Sequence, residues 1–394
     1  MKKKNLTLIY SFIQSSYWMS SCIAAGFEAN FLQGKNFDNS ELGMVSALGN
    51  LLGIAVATIL AAKMDKSQKY AALKVLPYLL LGQLGVQILL LFVNNKLLIG
   101  ILFGLFICSY VVVNTPILKI YADAGYLNID INYSLARGIG SLSYVVISFL
   151  LGPIIDRVGI RSIIFASIIV SIYQLISYCL IKKQMPDIFI EKQEENSVSL
   201  KEFILHNKNF SVMLFGTIFL FISHNFVTGF LINVVRNVGG SSGDMGFLNG
   251  FMAVTEIPVM IFYTKLLGKR NQKNILIISY IAFTLKALAF ALSNSLTALT
   301  LSYLLQAPSF AFYAGAIVPY IERNIDYENA AKAQSLAFTM TNIGAVLANM
   351  IAGYLYDSIT VSGTLYVGFI ICLIGSIISV LGLKNHDYSW FLSK

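Results

Sequence analysis

The sequence predicts an all-α membrane protein with twelve transmembrane helices in two pseudo-symmetric six-helix bundles. Three observations predict it. Of the 394 residues 57% are hydrophobic and only 12% charged, with a mean hydropathy of +0.72, whereas soluble domains carry roughly 25% charged residues. Apolar runs of about 20 residues, enough to cross about 30 Å of hydrocarbon, recur along the whole chain between short polar breaks. A single long polar segment divides those runs six and six.

In chain order the first run covers about 6–32, behind Lys2, Lys3 and Lys4. It exceeds the apolar core of a secretory signal and continues into Glu28 and Asn30 without a clear cleavage site, so it reads as a retained helix. The second, about 40–62, is entered by "NSELGMVSALGNLLG"; the third and fourth cover about 70–93 and 97–121. The fifth, about 133–154, begins in "NYSLARGIGSLSYVV" and leads out through "FLLGPIID"; the sixth covers about 162–182. The seventh, about 210–234, carries His224 and Asn225 near its midpoint. The eighth, about 245–267, is entered by "SSGDMGFLNGFMAVT" and holds Glu256; the ninth, about 274–293, holds Lys286. The tenth, about 295–321, contains "LLQAPSFAFYAG", and the eleventh, about 333–356, ends in "MIAGYLYD". The twelfth covers about 362–383.

The predicted organisation is therefore an amino-terminal bundle over 1–182, a connector over 183–209, and a carboxyl-terminal bundle with a short tail over 210–394. Within the connector "SLKE" reads as a capping box, Ser199 capping and Glu202 reaching back, ahead of Phe203 and Ile204 on one face. That is the pattern of a short surface helix, with a disordered linker as the alternative.

Placing the amino terminus in the cytoplasm puts 20 of the 28 Lys and Arg in inside loops. Five lie outside (Lys35, Lys96, Arg157, Arg161, Arg236) and three at membrane level (Lys119, Arg137, Lys286). By the positive-inside rule both termini are cytoplasmic, and the net charge of +9 is a topology signal rather than a nucleic-acid footprint. Cys22, Cys108, Cys179 and Cys372 fall inside apolar runs at none of the spacings of metal or redox pairs, and read as reduced packing residues. Neither a zinc-binding "HExxH" nor a nucleotide-binding "GxxxxGK[ST]" occurs, and His206, His224 and His386 are the only histidines. An enzyme, a metal or cofactor site and ATP-driven transport are accordingly not expected.

The halves resemble each other. Glu41-Leu42-Gly43 matches Asp244-Met245-Gly246, and Gly152 with Asp156 matches Gly353 with Asp357, each offset by about 200 residues. Such internal repeats are common in transporters.

A charge at the bilayer centre costs roughly 3 kcal/mol or more, so ionisable groups inside spans usually face a partner or a wet cavity. Gln14, Tyr17, Ser21 and Glu28 fall on one face of the first run, either as a cavity wall or as a hydrogen-bonded seam. His224 suits a proton carrier or a packing residue. Glu256, with Asn249 two turns before it, reads as a proton-carrying carboxyl or as a partner of Lys286. Arg137 and Tyr144, seven residues apart, share a face with Gly138, Gly140 and Ser141 between them; a guanidinium fork under an aromatic platform grips a polar or ring-bearing solute, unless Arg137 is an interfacial anchor.

Twelve spans in two such halves resemble the major facilitator superfamily. "PILKIYADAGYLNIDINYSLARGIGSLSY" is similar to the fourth-to-fifth helix segment of the lactose permease group of oligosaccharide:proton symporters, and "AKAQSLAFTMTNIGAVLANMIAGYLYD" to the eleventh-helix signature of the wider group. The resemblance implies sugar-binding arginine, stacking aromatic and coupling glutamate roles for Arg137, Tyr144 and Glu256, and gives Lys286 the place of a coupling arginine. It departs at Lys119, which stands where the arginine's acidic partner would be, with Asp123 one turn on. Gln306 and Ser309 replace the coupling histidine and glutamate.

The expected function is secondary transport of a small polar solute, a sugar, nucleoside or organic acid, by proton-coupled uptake through a bacterial inner membrane. The alternative is proton-coupled export of drugs or amphipathic compounds. Substrate contacts are expected at Arg137, Tyr144, Glu256, Asn249, Lys119 and Asp123. Proton coupling is expected at Glu256, Lys286, Glu28 and His224, with Gln306 and Ser309 lining a helix-ten cavity. The partners expected are the solute, protons and the bilayer, with no nucleic acid, and the protein is expected to be monomeric.

Overall fold

The computed structural model describes residues 6–66, 71–126, 129–185, 199–268 and 270–383. In order the helices are α1 (Leu6–Ser21), α2 (Glu28–Gln33), α3 (Asn39–Lys66), α4 (Ala72–Phe92), α5 (Lys96–Tyr126), α6 (Tyr133–Val158), α7 (Arg161–Lys182) and α8 (Leu200–His206). Then follow α9 (Lys208–Thr228), α10 (Leu231–Asn237), α11 (Ser242–Leu266), α12 (Gln272–Leu292), α13 (Leu296–Ser302), α14 (Phe312–Asn324), α15 (Tyr327–Ser358) and α16 (Val361–Gly382). No strand occurs among the described residues.

Eleven spans are long and apolar enough to cross a membrane, α13 and α14 forming one of them. The twelfth is the first in the chain. Its helix is broken: a π-helical turn over Cys22–Gly26 is followed by Phe27 at φ −117, ψ 11, outside helical geometry. The protein is thus a multi-pass membrane protein with the twelve-helix fold. Its helices overrun their apolar stretches, most plainly where α15 starts at Tyr327 on polar residues.

Local chemistry sets the starts. Asn132 accepts from the Leu135 amide to open α6, Thr360 from Gly363 to open α16, and Ser199 from Glu202 to open α8. Each satisfies a backbone donor that the first helical turn leaves unpaired. The string Gly239–Gly243 spells GxSxG, the spacing of a serine nucleophile turn, but Ser241 there bonds Asp244 across the start of α11 and is a helix cap. Cys22, Cys108 and Cys372 are buried as packing residues, whereas Cys179 is exposed, because its face of α7 turns outward.

The chain forms two compact units. The first holds the residues up to Glu194 with Thr228–Val254 and Asn349–Asp357; the second holds Glu195–Val227, Thr255–Ala348 and the residues from Ser358.

Within the first unit the two sequence repeats interlock crosswise. Asp156, at the end of α6, accepts from the amides of Ser242 (3.1 Å) and Gly243 (2.6 Å) at the start of α11. Asp357, its counterpart at the end of α15, accepts from the amides of Asn39 (3.0 Å) and Ser40 (2.7 Å) at the start of α3. Each carboxylate so meets the positive end of a helix dipole and two unpaired donors, worth about 1–2 kcal/mol. The glycines one turn earlier make the approach possible: a Cβ on Gly152 would lie 2.5 Å from the Ser242 carbonyl oxygen, and one on Gly353 2.4 Å from that of Asn39. The amides repeat the pattern, Asn30 donating to Ser242 (2.9 Å) and Asn233 to Asn39 (2.6 Å). The breaks repeat it too. Gly26-Phe27 ahead of α2 has its counterpart in Gly229-Phe230 ahead of α10, where Phe230 sits at φ −122, ψ 29.

Candidate functional site

In the first unit α1 and α6 lie side by side and bring Arg137 onto Trp18. The guanidinium carbon stands 3.6 Å above the indole centroid, and Arg137 also donates to Ser141. Trp18 is fixed in turn: its indole N–H donates to Gln14 (3.3 Å), Gln14 donates to the Tyr10 hydroxyl (3.0 Å), and Tyr17 meets it edge to face. Gly140 gives the indole room, since a Cβ there would lie 2.5 Å from it. Stacking of this kind is worth about 1–2 kcal/mol when partly desolvated.

The aromatic platform is therefore Trp18, which the sequence reading missed. Its signal was present, because Trp18 lies one turn beyond Gln14 in the polar stripe. Tyr144, expected as the platform, instead donates its hydroxyl to Asn249 (3.0 Å). Asn249 is buried at 5% exposure, and its Nδ2 lies so near Gly26 that a Cβ there would be 2.5 Å away.

The stripe itself stops early. The π turn and Phe27 end the regular helix, so Glu28 heads the separate α2, buried, and accepts from Ser46 of α3. Lys119 is likewise diverted from Arg137: its Nζ lies 2.8 Å from Asp123 and 3.5 Å from Asp65. Asp123 thus supplies the compensation its position promised, and Lys119 ties α5 to the end of α3 through Asp65.

The second unit assembles the other candidates into a chain of hydrogen bonds. Lys286, 4% exposed on α12, stands 3.0 Å from His224 Nδ1 and donates to Gln306 Oε1 (2.7 Å). Gln306 donates in turn to Glu256 (2.7 Å). A direct Glu256–Lys286 pair, one expectation from the sequence, is thereby replaced by one with an amide between the charges. Gln306 has reach because the span is deformed: a 3-10 turn over Tyr303–Leu305 precedes it and a π-helical turn over Ala307–Ala311 follows. Such π turns are frequent at functional sites. Ser309 donates to the Leu305 carbonyl (2.6 Å), and its own carbonyl accepts from Ser279 (2.7 Å), so it fastens the deformed span to α12. Aromatic rings enclose the basic end, with His224 stacked on Phe310 at 5.7 Å and Lys286 over Phe283 at 4.8 Å.

The amide fixes the polarity of this chain. Its oxygen can only accept, so Lys286 is the donor; its nitrogen can only donate, so Glu256 is the acceptor. The neutral amide keeps the two charges from direct contact, while each still feels the other through space. A proton cannot hop through a carboxamide as it does through a hydroxyl or a water.

The sequence profile of the MFS_1-like family matches residues 17–367. Curated proteins give no match. Among solved structures the nucleoside transporter NupG superposes with a TM-score of 0.79 at 17% identity over 98% of this chain and 100% of that one. A bacterial homologue of the human drug peptide transporters PepT1 and PepT2 gives 0.71 at 14% over 97% of each chain. A bacterial homologue of the human lysosomal transporter Spinster, in an inward-facing unoccupied conformation, gives 0.70 at 10% over 96% of each.

Proposed function

This chain belongs to the MFS_1-like family, within the major facilitator fold, and from that premise we propose that it takes up a small polar, ring-bearing solute together with protons. The observation that carries the reading is the Arg137 guanidinium over the Trp18 ring at 3.6 Å, with the Tyr144–Asn249 bond two turns along α6. A nucleoside fits such a wall best. Its base offers a flat face to aromatic neighbours, and its hydroxyls and ring nitrogens answer guanidinium and amide donors. The fold likeness to a nucleoside transporter makes uridine the natural first probe.

Coupling is assigned to Glu256 and to the Lys286–His224 pair. A carboxylate and an amine held in an apolar bundle change their interactions sharply on gaining or losing a proton. The basic loops favour cytoplasmic termini, and the reading is of a monomer in a bacterial inner membrane.

The test is a thermal-shift screen of purified protein against uridine, glucose and citrate, with Arg137→Ala beside the parent. Uridine stabilising the parent alone, by RT ln(1 + [L]/Kd), supports the assignment. Equal stabilisation of both moves the site away from Arg137. In vesicles, Glu256→Gln should abolish uridine accumulation driven by a pH gradient; undiminished accumulation removes Glu256 as a carrier.

A further inference from the structure

Two turns along each helix from the Lys286–His224 pair, the second unit carries a second polar layer inside its apolar core. Thr217 of α9, Tyr280 of α12 and Tyr313 of α14 are all buried. The two phenol rings stand 6.5 Å apart, and Thr217 neighbours both hydroxyls. Neither Tyr280 nor Tyr313 has a hydrogen-bond partner for its hydroxyl among the described residues. Thr217 gives its own proton to the Met213 carbonyl (3.0 Å), so towards the phenols its oxygen can only accept, and each phenol oxygen is left without a donor.

Two unpaired hydroxyls in an apolar cluster cost about 1–3 kcal/mol each. Native interiors remove that cost with bound water, which needs two to four polar partners. Three convergent hydroxyl groups supply them.

The layer lies on a line. Thr217 is seven residues from His224, Tyr280 six from Lys286 and Tyr313 seven from Gln306, which places it about 10 Å along the bundle from that chain. Seven residues further on α14 comes Tyr320, buried in the same cluster. The line ends where Tyr263, packed on Gly315, donates to Gln272 (2.6 Å) beside the loop between α11 and α12. The ionisable groups that face it are His224, Lys286, Glu256 and, from α16, Cys372 at the inner end, with Arg323 at the loop end.

We propose that Thr217, Tyr280 and Tyr313 hold a file of bound water, and that this file carries protons between the Lys286–His224 pair and the loop end marked by Tyr320 and Tyr263. The proposal rests on the proton-coupled reading above and supplies its route. The file must then reach across the roughly 10 Å between that layer and the pair, and a proton leaving the Lys286 ammonium passes to its nearest water. Each oxygen in the file then accepts one proton and releases another, until hydronium leaves at the loop and a neutral amine remains. The amide of Gln306 blocks the same passage towards Glu256, so the file is the exit that the geometry leaves to the amine.

Hydroxyl-radical labelling by X-ray radiolysis of the detergent-solubilised full chain tests the water directly, because radicals form where bound water lies. Tyr280 and Tyr313 should be labelled at least about tenfold faster than Tyr10, which is equally buried but bonded to the Ile117 carbonyl. Labelling as slow as at Tyr10 overturns the proposal. In proteoliposomes with uridine, Tyr280→Phe combined with Tyr313→Phe should lower pH-driven accumulation about tenfold while counterflow, which needs no net proton movement, is unchanged. Undiminished accumulation overturns the route. Thr217→Val supplies a second variant should the double one melt early. Absence of uridine counterflow in the parent refutes the nucleoside reading alone, and the labelling, which needs no solute, still decides the file.

Discussion

The two units put charge to opposite uses. In the first, Asp156 and Asp357 each satisfy backbone donors at a helix start, Lys119 is paired with Asp123 and Asp65, and Glu41 is paired with Lys96 at 2.5 Å. In the second, Lys286 and Glu256 stand on either side of an amide, and the hydroxyls of Tyr280, Tyr303 and Tyr313 lack partners among the described residues. Charges met at helix starts or by a direct counter-ion hold helices in register. Charges separated by a neutral amide keep alternatives close in energy, which proton transfer requires.

That contrast can be broken most forcefully at the glycines. Gly353→Leu drives a side chain into the Asn39 carbonyl and should reduce uridine counterflow to the level of empty vesicles. Gly82→Leu on α4, with nothing within 4 Å of its Cβ, should keep more than about half the parental rate, as an unconstrained surface site does. Equal outcomes would deny the interlock its role.

The two lysines come next. Lys286→Met should cut pH-driven accumulation about a hundredfold, as loss of a proton-transfer group does. Lys119→Met leaves the buried Asp123 carboxylate without its cation and should lower stability, yet change accumulation no more than about twofold. A large effect at Lys119 would place coupling in the first unit as well.

Asp156→Ala and Asp357→Ala sharpen the comparison at smaller scale. Each should cost about 1–2 kcal/mol and lower the melting temperature by a few degrees, by similar amounts because the two sites are repeats. One silent variant would show the repeat to be decorative on that side. Smallest of all, Tyr144→Phe loses one hydrogen bond to Asn249, about 1 kcal/mol, and should weaken uridine binding about fivefold by titrated thermal shift.

Much of this was legible in the sequence. Hydrophobic run length set the spans, because lipid admits little else, and the glycine-aspartate pairs marked the repeat before their contacts were known. What periodicity could not show was deformation. Counting from Gln14 to Glu28 assumes an unbroken helix, and the π turn at Cys22–Gly26 moves Glu28 onto α3. Counting from Glu256 to Lys286 gives no hint that Gln306 intervenes, since its reach depends on another π turn. Trp18 was overlooked for a different reason: an indole in an apolar run reads as core, and only a neighbour on another helix reveals its second face.

The crosswise capping also sets an order of assembly. Asn39 meets Asp357 across 318 residues, so at about 5–20 residues per second of synthesis the start of α3 waits tens of seconds for its cap. The start of α11, 86 residues from Asp156, emerges with its cap already made. During that interval the early helices are inserted yet unlatched, and only the arrival of Asp357 closes them. A ribosome that stalls before Asp357 therefore leaves a chain that lacks α16 and whose α3 start still has no bolt.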